Sequence, residues 1–119
     1  MGVTTVKLTI KNPLNGGKAI EKEFLVDTGA HYTVIPQNIV QKLGIKKSYT
    51  QEFALADGKI IKRDIGSAFV NFEGRQLAVP VVLGKRGDSA LLGITTLEGF
   101  GLMIDPFKRR IYSSKLMLG

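Results

Sequence analysis

Phe24-Leu25-Val26-Asp27-Thr28-Gly29-Ala30 is the stretch on which the reading of this chain turns. Three apolar residues run straight into a carboxylate, a small hydroxyl residue and a glycine, and Thr33-Val34-Ile35 resumes the apolar pattern. A strand of this kind delivers a carboxylate into a low-dielectric interior. Thr28 offers a hydroxyl for a local hydrogen bond, and Gly29, lacking a side chain, lets backbone or ligand approach closely. Asp, Thr and Gly are all turn formers, so the tripeptide on its own reads better as a simple turn. The flanking residues shift the balance, because a solvent-exposed turn has little need of apolar neighbours on both sides.

Working outward, the chain is a succession of short β-prone runs separated by turn residues. Residues 4–11 and 19–26 flank the dense turn signal Asn12-Pro13-Leu14-Asn15-Gly16-Gly17 and read as a hairpin. Residues 36–43 are the best helix, with Pro36 suited to its first turn, Gly44 to its C-terminal cap, and Ile39, Val40 and Leu43 on one apolar face. Residues 49–55 and 60–65 flank Asp57-Gly58, a strong hairpin signal. Residues 67–72 and 76–83 flank Glu73-Gly74 as a third hairpin. Leu91-Leu92-Gly93 leads into one or two helical turns at 94–100, and strands at 102–104 and 110–112 close the chain around Asp105-Pro106. Many closely spaced strands and few helices predict an all-β closed barrel or sandwich with one or two short helices.

The bulk composition fits one domain spanning 1–119, with 44% hydrophobic residues and 14 glycines among 119. No apolar run reaches the ~18 residues of a membrane span. Met1-Gly2-Val3-Thr4-Thr5 lacks the layout of a signal peptide, and Val6 stands where a myristoylation signal has Ser or Thr, so a cytoplasmic location is expected. With no cysteine, disulfides, thiolate catalysis and cysteine metal sites are excluded, and with His31 as the single histidine so is a multi-histidine metal site within one chain. No metal or other cofactor is expected. The net charge of +7 raises the case for an acidic partner. The basic residues are scattered, however, as Lys46-Lys47, Lys62-Arg63, Lys85-Arg86 and Lys108-Arg109-Arg110, and most flank turns, which is the pattern of a solvated surface.

Leu25-Val26-Asp27-Thr28-Gly29-Ala30, followed by Thr33-Val34-Ile35, resembles the active-site motif of aspartic proteases, retropepsins in particular. Ala90-Leu91-Leu92-Gly93 and the helix-like segment after it resemble the apolar-apolar-glycine element that packs behind the catalytic loop in that family. The order of catalytic loop, hairpin around Asp57-Gly58 and Leu91-Leu92-Gly93 looks like that of the small prokaryotic retropepsin-like proteins, over residues 4–113. The resemblance implies a retropepsin-like closed β-barrel that forms half of a two-fold active site. It implies Asp27 as the catalytic carboxylate, Thr28 as a hydrogen-bonding partner across the dimer and Gly29 beside the substrate. Ala30 and His31 would contact substrate, Ala56, Asp57, Gly58 and Lys59 would form the tip of a closing flap, and Leu92 and Gly93 would give structural support. His31 departs from the Ser, Asp or Asn often found two positions after the motif's glycine, and the flap is charged where retroviral flaps are glycine-rich.

Peptide hydrolysis by general acid–base chemistry needs two carboxylates around one water, one charged to accept a proton and one neutral to donate it. Two carboxylates about 3 Å apart cannot both ionise cheaply and so share a proton. The chain has one Asp-Thr-Gly. Asp105, followed by Pro106-Phe107, reads better as a turn residue. A C2 homodimer placing Asp27 opposite Asp27 is the economical solution, with the terminal segments 1–8 and 112–119, including apolar Leu116-Met117-Leu118, as candidate interface strands. The leading expectation is an aspartic endopeptidase acting on peptides or unfolded protein. One alternative is a catalytically silent dimeric peptide-binding or scaffold module of the same fold. The other is a basic nucleic-acid-binding β-barrel, disfavoured because aromatic residues are only 8% and Phe24, Phe69 and Phe72 sit in core-like patterns.

Overall fold

A computed structural model of the chain describes residues 4–105, 107–108, 110–113 and 118. Of the proposed interface segments, residues 1–3, 114–117 and 119 lie outside the described residues. Nine strands and two short helices follow in the order β1 (Thr5–Asn12), β2 (Asn15–Val26), β3 (Thr33–Ile35), α1 (Gln37–Leu43), β4 (Tyr49–Ala54), β5 (Ile60–Phe72), β6 (Arg75–Leu83), β7 (Leu91–Leu92), α2 (Ile94–Gly99), β8 (Leu102–Asp105) and β9 (Arg110–Ser113).

Seven strands form one sheet in the order β1-β2-β7-β3-β6-β5-β4, and β1 also pairs with β5 at Thr9–Lys11 against Phe69–Asn71. That extra pairing closes the sheet into a ring, the closure expected of the all-β reading. Hairpins supply the antiparallel neighbours β1–β2, β4–β5 and β5–β6. The two parallel contacts, β2 with β7 and β3 with β6, join segments far apart in sequence, which local patterning does not reveal.

The alternation of each strand explains what the ring encloses. Leu8 and Ile10 of β1, Phe24 of β2, Ile35 of β3, Ala68 and Val70 of β5 and Val79 and Val81 of β6 are all buried, and α1 and α2 add Ile39, Leu43 and Leu97. Period two along strands and three to four along helices thus aim one set of side chains inward. Helix α1 begins after Pro36 and ends at Gly44, whose left-handed φ of 67° is the cap conformation glycine adopts without strain. Asn12 fastens this helix to the first hairpin: its Nδ2 donates to the carbonyls of Leu43 (3.0 Å) and Gly44 (3.1 Å), and its Oδ1 accepts from Leu14 N–H (2.9 Å).

Two sequence expectations need correction. The first turn is shorter than the run 12–17, since β1 reaches Asn12 and β2 already begins at Asn15. Residues 60–65 and 67–72 are not two strands but halves of the single 13-residue β5. Gly66 does not break it. A Cβ there would stand 2.9 Å from the carbonyl oxygen of Lys46, so glycine serves close packing rather than a turn. The last two strands, β8 and β9, pair as a separate two-stranded sheet that leaves Met103 and Tyr112 exposed.

Candidate active site

Asp27 is held by three hydrogen bonds at the end of β2. Its backbone N–H donates to the carbonyl of Leu92 on β7 (3.0 Å), continuing the parallel pairing of Leu25 with Leu91 and Val26 with Leu92. Its carbonyl accepts from Ala30 N–H (3.1 Å), and its Oδ1 accepts from Gly29 N–H (2.9 Å), so the carboxylate orientation is fixed within the loop. Such local side-chain-to-backbone bonds are what Asp makes in turns. The turn reading and the buried-strand reading of this stretch are therefore both realised: Phe24 is fully buried, Asp27 half-buried, Thr28 and Gly29 exposed.

Behind the loop, Leu92 and Gly93 lead into α2. A Cβ on Gly93 would lie 2.8 Å from Thr33 N and closer still to the carbonyl carbon and oxygen of Tyr32. The buried hydroxyl of Thr33 accepts from Gly93 N–H (3.1 Å) and shares a 2.6 Å hydrogen bond with Thr96 on α2. The N–H groups of Ile94 and Thr95 then donate to the carbonyls of Ala30 (2.9 Å) and His31 (3.0 Å). The first turn of α2 thus finds backbone acceptors in the Asp27 loop itself. Neither Thr33 nor Thr96 was singled out from sequence. Thr33 sits in an apolar run, and a threonine in a β-rich run carries no sign of a buried polar partner.

A cleft of about 430 Å³ opens beside this loop. Gly29, Ala30, His31 and Tyr32 of the loop line it, together with Val34, Val82 and Leu91 from the ring and Phe53, Leu55, Ile61 and Arg63 from the β4–β5 hairpin. Register explains the hairpin's contribution: Phe53 pairs with Ile61, and Ile61 and Arg63, two residues apart, share a face. His31 meets Tyr32 edge-to-face at 4.6 Å, and Tyr32 meets Phe53 likewise at 6.4 Å. Ala56, Asp57, Gly58 and Lys59 do form the hairpin tip, where Gly58 (φ 86°) donates to the Leu55 carbonyl and Asp57 Oδ1 accepts from Lys59 N–H. All four are exposed and none lines the cleft; the wall comes from the hairpin's arms.

The basic residues of the four sequence clusters are exposed where described, except Arg63, which is half-buried. Its Nε donates to Asp88 Oδ2 (2.6 Å) and its Nη2 to Asp88 Oδ1 (3.0 Å). Hydrogen bonding to Arg63 holds the Asp88 carboxyl below its ordinary range, against the opposing effect of burial. Asp105 takes the turn role read for it, its Oδ1 accepting from the N–H groups of Phe107 (2.9 Å) and Lys108 (3.1 Å).

Comparison with known proteins bears on this geometry directly. A family model described as “gag-polyprotein putative aspartyl protease” matches residues 14–99, from the start of β2 through the whole Asp27 loop, the cleft and α2. The chain belongs to this aspartyl protease family. Its fold is of the retropepsin type. EIAV protease complexed with the inhibitor HBY-793 superposes with a TM-score of 0.61 at 18% identity, covering 98% of this chain and 94% of that one. The simian foamy virus (mac) protease gives 0.57 at 18% identity over 80% and 92%. The retroviral protease-like domain of Ddi1 from Leishmania major gives 0.53 at 15% over 97% and 92%. No curated protein matches the sequence. Within this aspartyl protease frame, Asp27 is the acidic residue of the Asp-Thr-Gly loop, and the described residues supply one such loop per chain.

Proposed function

We infer that the protein is an aspartic endopeptidase that hydrolyses peptide bonds as a C2 homodimer, with a water activated between Asp27 and the Asp27 of a second copy. The observation that carries this is the construction of the Asp27 loop. A single carboxylate is fixed by Gly29 N–H through Oδ1 and braced by β7 and α2, in a loop whose next residues, Gly29, Ala30 and His31, line a peptide-sized cleft.

One carboxylate cannot act as acid and base at once. A two-fold axis beside the loop supplies the second, and the proton shared by the two oxygens makes one partner acid and the other base. Exposed Thr28 is then the residue placed to bond across the axis, and Gly29 leaves room for the substrate backbone. The exposed Met103 and Tyr112 of the β8–β9 sheet, which follows α2 directly, offer apolar surface for the partner. The β4–β5 hairpin acts as a flap whose arms contact substrate side chains.

The test is cleavage of an unstructured protein between pH 3 and 8 by wild type and by Asp27→Asn, over a range of protein concentrations. Wild type should cut, the variant should lose activity by at least about 10³-fold, and specific activity should rise with concentration as dimers form. A folded, dimeric wild type that cuts nothing would sink the endopeptidase reading and leave a peptide-binding module.

A further inference from the structure

The Arg63–Asp88 ion pair lies in the wall of the cleft. Arg63 projects from the flap arm β5, and Asp88 from the loop joining β6 to β7, and both line the cleft. Every other flap residue on that wall (Phe53, Ala54, Leu55, Ile61) is apolar. The pair is two-pronged, at 2.6 and 3.0 Å, a geometry that fixes direction as well as distance.

Both ends are further anchored. Arg63 Nη1 donates to the Lys62 carbonyl (2.9 Å), and Asp88 Oδ2 accepts from Lys85 N–H (2.8 Å) within a turn closed by Asp88 N–H on the Lys85 carbonyl (2.9 Å). Gly84 N–H, donating to the Ile35 carbonyl (2.8 Å), ties the start of this loop to β3. The guanidinium carries five N–H groups, and after these bonds two have no partner among the described residues.

We propose that Arg63 and Asp88 are specificity-determining residues: together they form a charge-neutral, hydrogen-bond-donating wall that selects a large uncharged substrate side chain and excludes charged ones. Val34, Ile61, Val82 and Leu91 receive the apolar body of that side chain, and the spare N–H groups meet an accepting tip such as an amide or a thioether. An acidic side chain gains little, because the guanidinium's charge is already met by Asp88 and the carboxylate would still lose water on entry. The pair also spans from flap arm to cleft loop, so the wall keeps its shape when the flap tip moves. This inference rests on the cleft being the substrate groove, but it does not need the hydrolysis itself.

Its test therefore uses binding. A library of eight-residue peptides with randomised central positions is presented to the Asp27→Asn protein, and bound peptides are sequenced. Selection is repeated in the same background with Asp88→Asn and, separately, with Arg63→Met, after thermal unfolding has shown each variant folded. Asp27→Asn alone should enrich uncharged large residues at one central position. Asp88→Asn frees the guanidinium and should enrich Asp and Glu there roughly five- to tenfold, whereas Arg63→Met leaves Asp88 unpaired and should enrich Lys and Arg. A role limited to stability would weaken binding without moving the profile in opposite directions. Unchanged profiles in both variants, or no positional enrichment in any protein, would overturn the assignment. Opposite shifts in a protein that cleaves nothing would uphold it while the endopeptidase reading fails. Cleavage with unmoved profiles would do the reverse.

Discussion

Substituting Gly93 by alanine should separate the site's architecture from its chemistry. The φ of −88° and ψ of 169° at Gly93 suit any residue, so the obstacle is space alone. The new methyl carbon would meet Thr33 N at 2.8 Å and the Tyr32 carbonyl at less. Reaching an ordinary contact of about 3.4 Å with the Tyr32 carbonyl carbon requires the Tyr32–Thr33 backbone to retreat by about 1 Å. That backbone cannot move alone, since Thr33 holds Gly93 N–H and Thr96 through its hydroxyl and is itself fully buried. Overpacking of this kind costs about 1–3 kcal/mol, and a weakened buried hydrogen bond about 1 more, giving about 2–4 kcal/mol. For 119 residues the unfolding entropy is about 250 cal/mol/K, so Tm should fall by about 8–16 °C in a calorimetric scan. Because Ala30 and His31 accept from the N–H groups of α2, the displaced loop should also lose hydrolytic activity by well over the fraction unfolded. A variant melting within about 2 °C of wild type and cutting at the same rate would refute the claim that Gly93 is required by the close approach of the Asp27 loop.

The remaining predictions concern the same supports. Thr33→Val removes the acceptor of Gly93 N–H and the partner of Thr96, and should cost about 1–3 kcal/mol in urea unfolding; adding Thr96→Val should cost less than the sum of the two single changes. Phe24→Ala, at the largest fully buried side chain and three residues before Asp27, should cost about 3–5 kcal/mol by the same assay. The Asp88 carboxyl is held below its ordinary value of 3.8 chiefly by Arg63, so its ion-pair stabilisation is fully present above that value and lost as pH falls through the lower folded one. The stability gap between wild type and Asp88→Asn, about 1 kcal/mol for a partly exposed pair, should be flat above about pH 5 and shrink below 3.8, as followed by urea midpoints against pH.

What could be read from the sequence was what neighbours in the chain decide. Asp57-Gly58 and Glu73-Gly74 specify their turns locally, and Pro36 and Gly44 bracket α1, because φ preferences act within a few residues. The division of β5 into 60–65 and 67–72 was wrong for the converse reason, at Gly66. It looks like a break but answers to the carbonyl of Lys46, twenty positions away, which no local pattern encodes. The short β3 was visible only as resumed apolarity, since three residues give too little alternation to identify a strand. Asp27 and the cleft residues Gly29 and Ala30 belong to one contiguous motif and were legible. Tyr32, Phe53, Arg63 and Asp88 come together only through the parallel pairings and the ring closure, so Lys62-Arg63 read as one more solvated basic pair.

Strand β5 serves three neighbours along its length: β4 over Ile60–Ile65, β6 over Asp64–Phe72 and β1 over Phe69–Asn71. The same backbone is therefore a stave of the ring at one end and an arm of the flap at the other. An insertion of one residue between Arg63 and Asp64 would turn Ile61 and Arg63 to the outer face, because the ring fixes the far end and side chains alternate with period two. Changes in flap length during divergence are then confined to the turn at 55–59 or to matched pairs of residues in both arms. Where the arms themselves lengthen, the reach of the flap, and with it the length of substrate it can cover, should change in steps of about 7 Å.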